Sequence, residues 1–341
     1  MIILGIETSC DETAAAIVKD GKTVISNSIA SSAEAHAKTG GIIPENAARQ
    51  QIKSIFPIIN QTISDAKITN PKSEIDLIAV TYGPGLIGSL LVGVETAKTL
   101  SYIWKKPIVP VNHLLAHIYA NWLEKDNIPE FPAIALVVSG GHTDMVLMKS
   151  HKHIEWIGGT RDDAAGEAFD KTARLLGLPY PGGPQISNHA KQYIDDNPGV
   201  GLSYFPRPII NEDNFDFSFS GLKTAVRNEV KDKKMTESYV NKISAETQEA
   251  IVDVLTTKTE KAIKRYRPKS LLVAGGVSAN MRLRDSLSQM VLKHNTVCFI
   301  PELKHCTDNA TYIATYAHYN NHPSDFRDIK AVPSLTITNE C

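Results

Sequence analysis

Ile134-Ala135-Leu136-Val137-Val138-Ser139-Gly140-Gly141-His142-Thr143-Asp144-Met145-Val146-Leu147-Met148 reads as two strands around a tight polar turn. Ile134 to Val138 is unbroken hydrocarbon, Ser139 to Thr143 is small or hydrogen-bonding, and Met145 to Met148 is apolar again, so the chain reverses on itself. A third strand is expected near Ile154 to Ile157, after the polar turn Ser150 to His153. The same plan stands at the head of the chain: Ile2 to Ile6, the polar turn Glu7 to Thr13, an apolar run to Val18, and Thr23 to Ser26 after Asp20-Gly21. Two such units heading two halves point to a duplicated α/β architecture.

Between them, Ile75 to Val80 reads as a buried strand, Gly83-Pro84-Gly85-Leu86-Ile87-Gly88 as a glycine-rich loop and Ser89 to Trp104 as a helix. That order puts parallel, helix-covered strands in the later part of each half. In the second half Ala164 to Leu176 is helical in pattern, and Tyr180-Pro181-Gly182-Gly183-Pro184 is expected to break it. Residues 197–220 read as a loop-rich insertion, Ser244 to Tyr266 as a long helix, Ser270 to Ala274 as a buried strand, and Met281 to Val291 as a helix after the turn Gly275 to Asn280. No low-complexity linker parts the halves, so two lobes are expected around a central cleft: residues 1–130 with 309–341, and 131–308.

A chain of 341 residues, 42% hydrophobic and 21% charged, is ordinary globular usage for two domains. No apolar run approaches the roughly 18 residues that a membrane span needs, and Met1 to Glu7 lacks the basic start of a secretory signal. Cytoplasm is the expectation, with Cys10, Cys298, Cys306 and Cys341 as reduced thiols. Thirty-six lysines and arginines against 37 aspartates and glutamates give a net charge of −1, so any nucleic-acid contact is expected to be local or shared with a partner. Lys258 to Lys269 carries six cations and one acid, and reads either as such a contact or as a solvated helix face.

Several constellations can carry chemistry. His113 and His117 stand at i and i+4, so on a helix their imidazoles share one face and can share a metal; a pair of surface or capping histidines reads equally well. Leu114 occupies the place where an H-E-x-x-H protease needs its glutamate base, which disfavours that class. Asp308, in Cys306-Thr307-Asp308-Asn309, is either a third ligand or the cap of the helix that follows. Ser139-Gly140-Gly141-His142-Thr143 and Gly275-Gly276 with Asn280 offer backbone N–H groups to an anion at strand ends, where open α/β sheets bind ligands. Asp162, Asp163, Glu167 and Asp170 sit at a helix start, and Asp170, one turn after Gly166, suits a ribose diol.

In order along residues 2 to about 317, Gly5-Ile6-Glu7-Thr8-Ser9-Cys10-Asp11-Glu12-Thr13, Gly83-Pro84-Gly85-Leu86, His113-x3-His117, Val138 to Thr143, Asp162 to Leu176, Tyr180 to Pro184, Phe217-Ser218-Phe219-Ser220-Gly221-Leu222-Lys223, Gly275 to Asn280 and Cys306 to Ala310 resemble the tRNA threonylcarbamoyladenosine transferase family of bacterial type. The resemblance implies the duplicated actin, sugar-kinase and heat-shock-ATPase-like (ribonuclease H-like) fold. It implies transfer of a threonylcarbamoyl group from threonylcarbamoyl-AMP to the exocyclic amine of the adenosine 3′ of the anticodon, in tRNAs reading codons that begin with A, with release of AMP. It also implies one divalent metal per chain, usually iron with zinc as the alternative, on His113, His117 and Asp308, and an adenylate held by Val137, Val138, Ser139, Gly140, Gly141, Asp170, Gly183 and Asn280. Implied partners are tRNA, a catalytically silent paralogue and a small P-loop ATPase, with a homodimer as an option for the chain alone. Ala116 and Ser187 depart from the family pattern, which often has glycine before the second histidine and aspartate after Gly-Gly-Pro; Ser187 is therefore left out of the ribose contacts.

An adenine amine is a weak nucleophile, so a Lewis acid on the carbamoyl oxygen is wanted, and a base for the amine proton. By motif the nearest candidates for that base are Asp11 and Glu12, for which a structural role in the first turn is the alternative. An ATPase or kinase of the same fold would leave the histidine pair idle, and a metalloprotease would lack its base.

Overall fold

The computed structural model describes residues 1–31 and 43–340. The chain divides into two compact units, Met1–Pro129 with Lys149–Ile154 and Pro301–Cys341, and Glu130–Met148 with Glu155–Ile300.

The first unit holds a sheet of β1 (Ile2–Glu7), β2 (Glu12–Lys19), β3 (Thr23–Ser31), β4 (Leu77–Gly83) and β5 (Ile108–Asn112) in the order β3-β2-β1-β4-β5. The first three strands form an antiparallel meander, and β4 and β5 join β1 in parallel. Small and branched side chains explain its burial: from Thr13 to Val18, β2 is covered throughout, as strands between two helical layers are. Edge strand β3 instead alternates between exposed and covered residues. The layers are α1 (Pro44–Asp65), the single turn α2 (Pro71–Glu74), α3 (Ile87–Trp104), α4 (His113–Tyr119) and, from the far end of the chain, α10 (Thr311–Tyr319). Gly5 lets α10 lie against β1, since a Cβ there would stand 2.3 Å from the Ala310 carbonyl oxygen.

The second unit repeats the topology with β6 (Ala133–Val138), β7 (Thr143–Ser150), β8 (His153–Gly159), β9 (Ser270–Ala274) and β10 (Val297–Phe299) in the order β10-β9-β6-β7-β8. Its helices are α5 (Ala165–Leu175), α6 (Gly182–Asp196), α7 (Ser220–Val230), α8 (Glu237–Tyr266) and α9 (Met281–Val291), over a core that includes Leu136, Phe169, Phe217, Phe219, Leu255 and Leu287. Duplication of the meander is thus a property of the fold. The turn Tyr180 to Pro184 does end α5, but Gly182-Gly183-Pro184 also opens α6, because a first-turn residue has no helical partner for its N–H and proline loses nothing there. Helix α8 begins seven residues before its expected start, with Thr236 as its cap, and α1 carries Pro57 in its interior. No helix or strand lies between Asp196 and Ser220. Among the described residues no helix is long and apolar enough to cross a membrane, and Cys10, Cys298 and Cys306 form no disulfide.

The basic segment needs correction. Lys258 is fully buried, and its Nζ donates to the carbonyls of Glu212 and Asn214 and to Asn214 Oδ1 at 3.0–3.1 Å. Lys261 donates to the carbonyls of Ile210 and Glu212 at 2.7 and 3.0 Å. Two of the six cations therefore hold the 210–214 loop instead of facing solvent. Lys258→Met, which keeps the stem and removes the donors, is expected to cost about 1–3 kcal/mol in urea unfolding and to open that loop to limited proteolysis.

Candidate metal centre

Strand β5 ends at Asn112, whose Oδ1 accepts from the N–H groups of Leu114 and Leu115 at 3.0 and 3.4 Å. This cap starts α4 at His113 and so puts His113 and His117 on successive turns of one face, both buried. Their Nε2 atoms are 3.1 Å apart and their rings stand edge to face at 73°. Asp308 Oδ1 approaches to 3.3 Å from His117 Nε2 and 3.6 Å from His113 Nε2. Ligands about 2.0–2.2 Å from a common ion stand roughly 3.0–3.5 Å from one another in tetrahedral or octahedral arrangements, so the triangle fits one divalent cation. Helix α10 has no side-chain cap, which leaves Asp308 to the histidines.

The surroundings set the direction of each group. His113 Nδ1 lies 3.1 Å from Glu7 Oε2, and a proton on Nδ1 leaves the Nε2 lone pair facing the triangle. Glu7 is itself fixed, accepting from Ser9 N at 2.5 Å and from Thr81 Oγ1. Burial lowers the His113 pKa, but the carboxylates of Glu7 and Asp308 outweigh it and hold it up to about 9. Burial and then the His113 charge push His117 down. Burial raises Asp308, yet His113 and His117 hold it well below the usual carboxylate range. Each direction reports the same demand, for one positive charge among these atoms. His117 Nδ1 is enclosed without a partner among the described residues.

The turn from β1 to β2 is pinned to this centre. Gln51 of α1 donates to the carbonyls of Cys10 and Glu12 at 2.9 Å each, Leu86 N donates to Ser9 O at 2.8 Å, and Thr8 Oγ1 donates to Ser89 O at 2.9 Å. Asp11 is buried in the turn and Glu12 opens β2. Burial, the Asp308 charge and a hydrogen bond with Asp11 push the Glu12 carboxyl up to about 9, so it keeps its proton at neutral pH.

The second unit carries the other residues. Val137 and Val138 end β6 with both side chains buried, which leaves only their backbone for a ligand. Ser139, Gly140 and Gly141 form the turn that follows, and a Cβ on Gly140 or Gly141 would meet nothing within 4 Å. A Cβ on Gly166 would instead stand 2.5 Å from Ser139 O, and one on Gly275, whose φ is +88°, would stand 2.4 Å from Val138 O. These two glycines let α5 and the turn after β9 close on the Ser139 turn. Asp170 accepts from Gly182 N at 2.7 Å and from Gly183 N, so it ties α5 to the first turn of α6. Asn280 caps α9.

The family model for tRNA N6-adenosine threonylcarbamoyltransferase, TsaD, matches residues 23–315. The chain belongs to this family. It is 50% identical over 317 residues to the tRNA N6-adenosine threonylcarbamoyltransferase of Bacillus subtilis (strain 168), covering 92% of this chain and 89% of that protein. It is 44% identical over 331 residues to the enzyme of the same name from Staphylococcus aureus (strain Newman), covering 96% and 94%. Among solved structures, T.kodakarensis HypF superposes with a TM-score of 0.62 at 13% identity over 94% of this chain and 47% of that one. Component A of the Acidaminococcus fermentans (R)-2-hydroxyglutaryl-CoA dehydratase does so at 0.52 and 15%, over 94% and 98%. At such identities these two speak for the fold alone, the duplicated actin and sugar-kinase type. Membership makes this chain an acyl-transferring enzyme of tRNA modification.

Membership in the threonylcarbamoyltransferases also implies a metal, and the two imidazoles and the carboxylate of this triangle fit one. Glu7 stands out among residues whose part sequence reasoning missed: an acid closing a buried strand, inside a motif already singled out, was the available signal. Glu7→Gln keeps the shape but no longer fixes the His113 proton, and is expected to weaken metal affinity about ten- to a hundredfold, read by competition with a chromophoric chelator.

Proposed function

We propose that this chain moves the threonylcarbamoyl group of threonylcarbamoyl-AMP onto the exocyclic amine of the adenosine 3′ of the anticodon, in tRNAs reading codons that begin with A, and releases AMP. The observation that carries the reading is the triangle of the buried His113 and His117 with the half-buried Asp308, their ligand atoms 3.1–3.6 Å apart. A divalent metal bound there, iron or zinc, supplies Lewis acidity toward the carbamoyl carbonyl, which a poorly nucleophilic aryl amine needs. His113, His117 and Asp308 hold it, and Glu7 keeps the His113 Nε2 lone pair directed inward.

The backbone N–H groups of Gly140 and Gly141 and of Gly275-Gly276 receive the phosphate, where bare glycines leave room. Asp170 acts through α6: by holding Gly182 and Gly183 it sets the rim against which the ribose lies. Asp11 and Glu12 share a hydrogen bond, and that pair passes the amine proton on. A kinase reading leaves the histidines without a task, and a protease reading fails at Leu114, which is 1% exposed and carries no base.

With a net charge of −1 the chain lacks a field for many phosphate contacts, so tRNA binding is shared with a silent paralogue and a small P-loop ATPase in the cytoplasm. Incubation of tRNA with threonylcarbamoyl-AMP, this chain and those partners is expected to yield threonylcarbamoyladenosine by nucleoside mass spectrometry. His113→Ala and His117→Ala are each expected to lose bound metal and product together while keeping the parent's circular dichroism. Full product from either variant in metal-free form would overturn the reading.

A further inference from the structure

The cap of α9 starts a series of hydrogen bonds whose direction is fixed at one end. Leu283 N can only donate, and it donates to Asn280 Oδ1 at 3.0 Å. The other end of that amide, Nδ2, must then donate, and it does so to Ser187 Oγ and to Gln248 Oε1 at 2.9 Å each. Ser187 Oγ completes the triangle by donating to Gln248 Oε1 at 2.8 Å. Rotating the Gln248 amide would set two donors face to face, so its Oε1 points into the triangle and its Nε2 points away. Gln248 is only 4% exposed, yet Nε2 has no partner among the described residues and is not among the atoms enclosed without one. Its two N–H groups are unspent, where α8 meets Ser187 of α6 and Asn280, the cap of α9.

We propose that Gln248 is a binding residue for the adenylate, donating from Nε2 to an uncharged acceptor of its nucleoside, a ring nitrogen or a ribose oxygen. The inference rests on the adenylate reading above, because Gly183 lies one turn before Ser187 on α6 and Asn280 closes the turn that begins at Gly275. A neutral, nearly buried donor suits an uncharged acceptor. A phosphate set against it alone would lose its hydration with little return, whereas the glycine turns offer several N–H groups together. Ser187 and Asn280 act through Gln248 by fixing which end of its amide faces out.

The test measures AMP and adenosine affinity by calorimetry for the parent, Gln248→Glu and Gln248→Met at pH 8. Gln248→Glu keeps an oxygen for Asn280 and Ser187 and replaces only the outward donor; Gln248→Met removes both ends. Both variants are expected to bind AMP about two- to tenfold more weakly, the glutamate variant at least as weakly as the methionine one, with metal content unchanged and the melting temperature lowered most in the methionine variant, which orphans Asn280 Nδ2 and Ser187 Oγ. Adenosine, where it binds the parent, should lose the same factor. If Gln248→Glu binds AMP like the parent, the inference is overturned while the adenylate reading stands, and a loss confined to Gln248→Met would mark a purely structural role. A loss seen with AMP but not with adenosine would overturn it in favour of a phosphate contact. A parent that binds no AMP would overturn both.

Discussion

Two imidazole nitrogens 3.1 Å apart, with a carboxylate oxygen 3.3–3.6 Å from each, form a set of buried electron pairs that repel one another unless a positive charge stands among them. The architecture of the first unit serves this constraint. Asn112 starts α4 at the right residue, Glu7 turns His113 inward, and a glycine in β1 lets α10 come close with Asp308 just ahead of it. Gln51, Ser89 and Leu86 then tie the β1–β2 turn from α1 and α3. A site of this kind tolerates little slack, because its ligands come from one turn of α4 and from the segment ahead of α10, and Glu7 holds His113 from behind.

The second unit works by subtraction. The turns that the proposed function assigns to the adenylate are defined by what is absent, namely side chains at Gly140, Gly141, Gly183 and Gly276, while Gly166 and Gly275 allow neighbouring backbone to close in. Specific contacts are left to backbone donors and a few amides. The same topology occurs in both units with opposite chemical content: imidazole and carboxylate in one, bare backbone in the other.

The meanders were legible because period and burial agree: β2 and β6 are apolar runs bounded by polar turns, and no competing pattern covers them. Helices α1 and α6 were not, since Pro57 and Gly182-Gly183-Pro184 carry local signals that tertiary packing or position in the first turn overrides. At the site, His113 and His117 announced themselves by spacing, whereas the alternatives for Asp308, ligand or cap, differ only in where its carboxylate points. The roles of Glu7, Ser187 and Gln248 depend on contacts across 106, 93 and 61 residues of chain, from Glu7 to His113, Ser187 to Asn280 and Ser187 to Gln248, which no local pattern encodes. Lys258 shows the converse: a cation in a basic run reads as a surface residue until the carbonyls it holds are seen.

The most direct test of the account is X-ray absorption at the metal edge of protein stripped with chelator and reloaded with one equivalent of Fe(II) or Zn(II). The account predicts tight binding of a single ion per chain, with two imidazoles and a carboxylate oxygen in its first shell, and loss of the imidazole scattering in His113→Ala/His117→Ala. An ion held without imidazole, or the same first shell in that double variant, would contradict it.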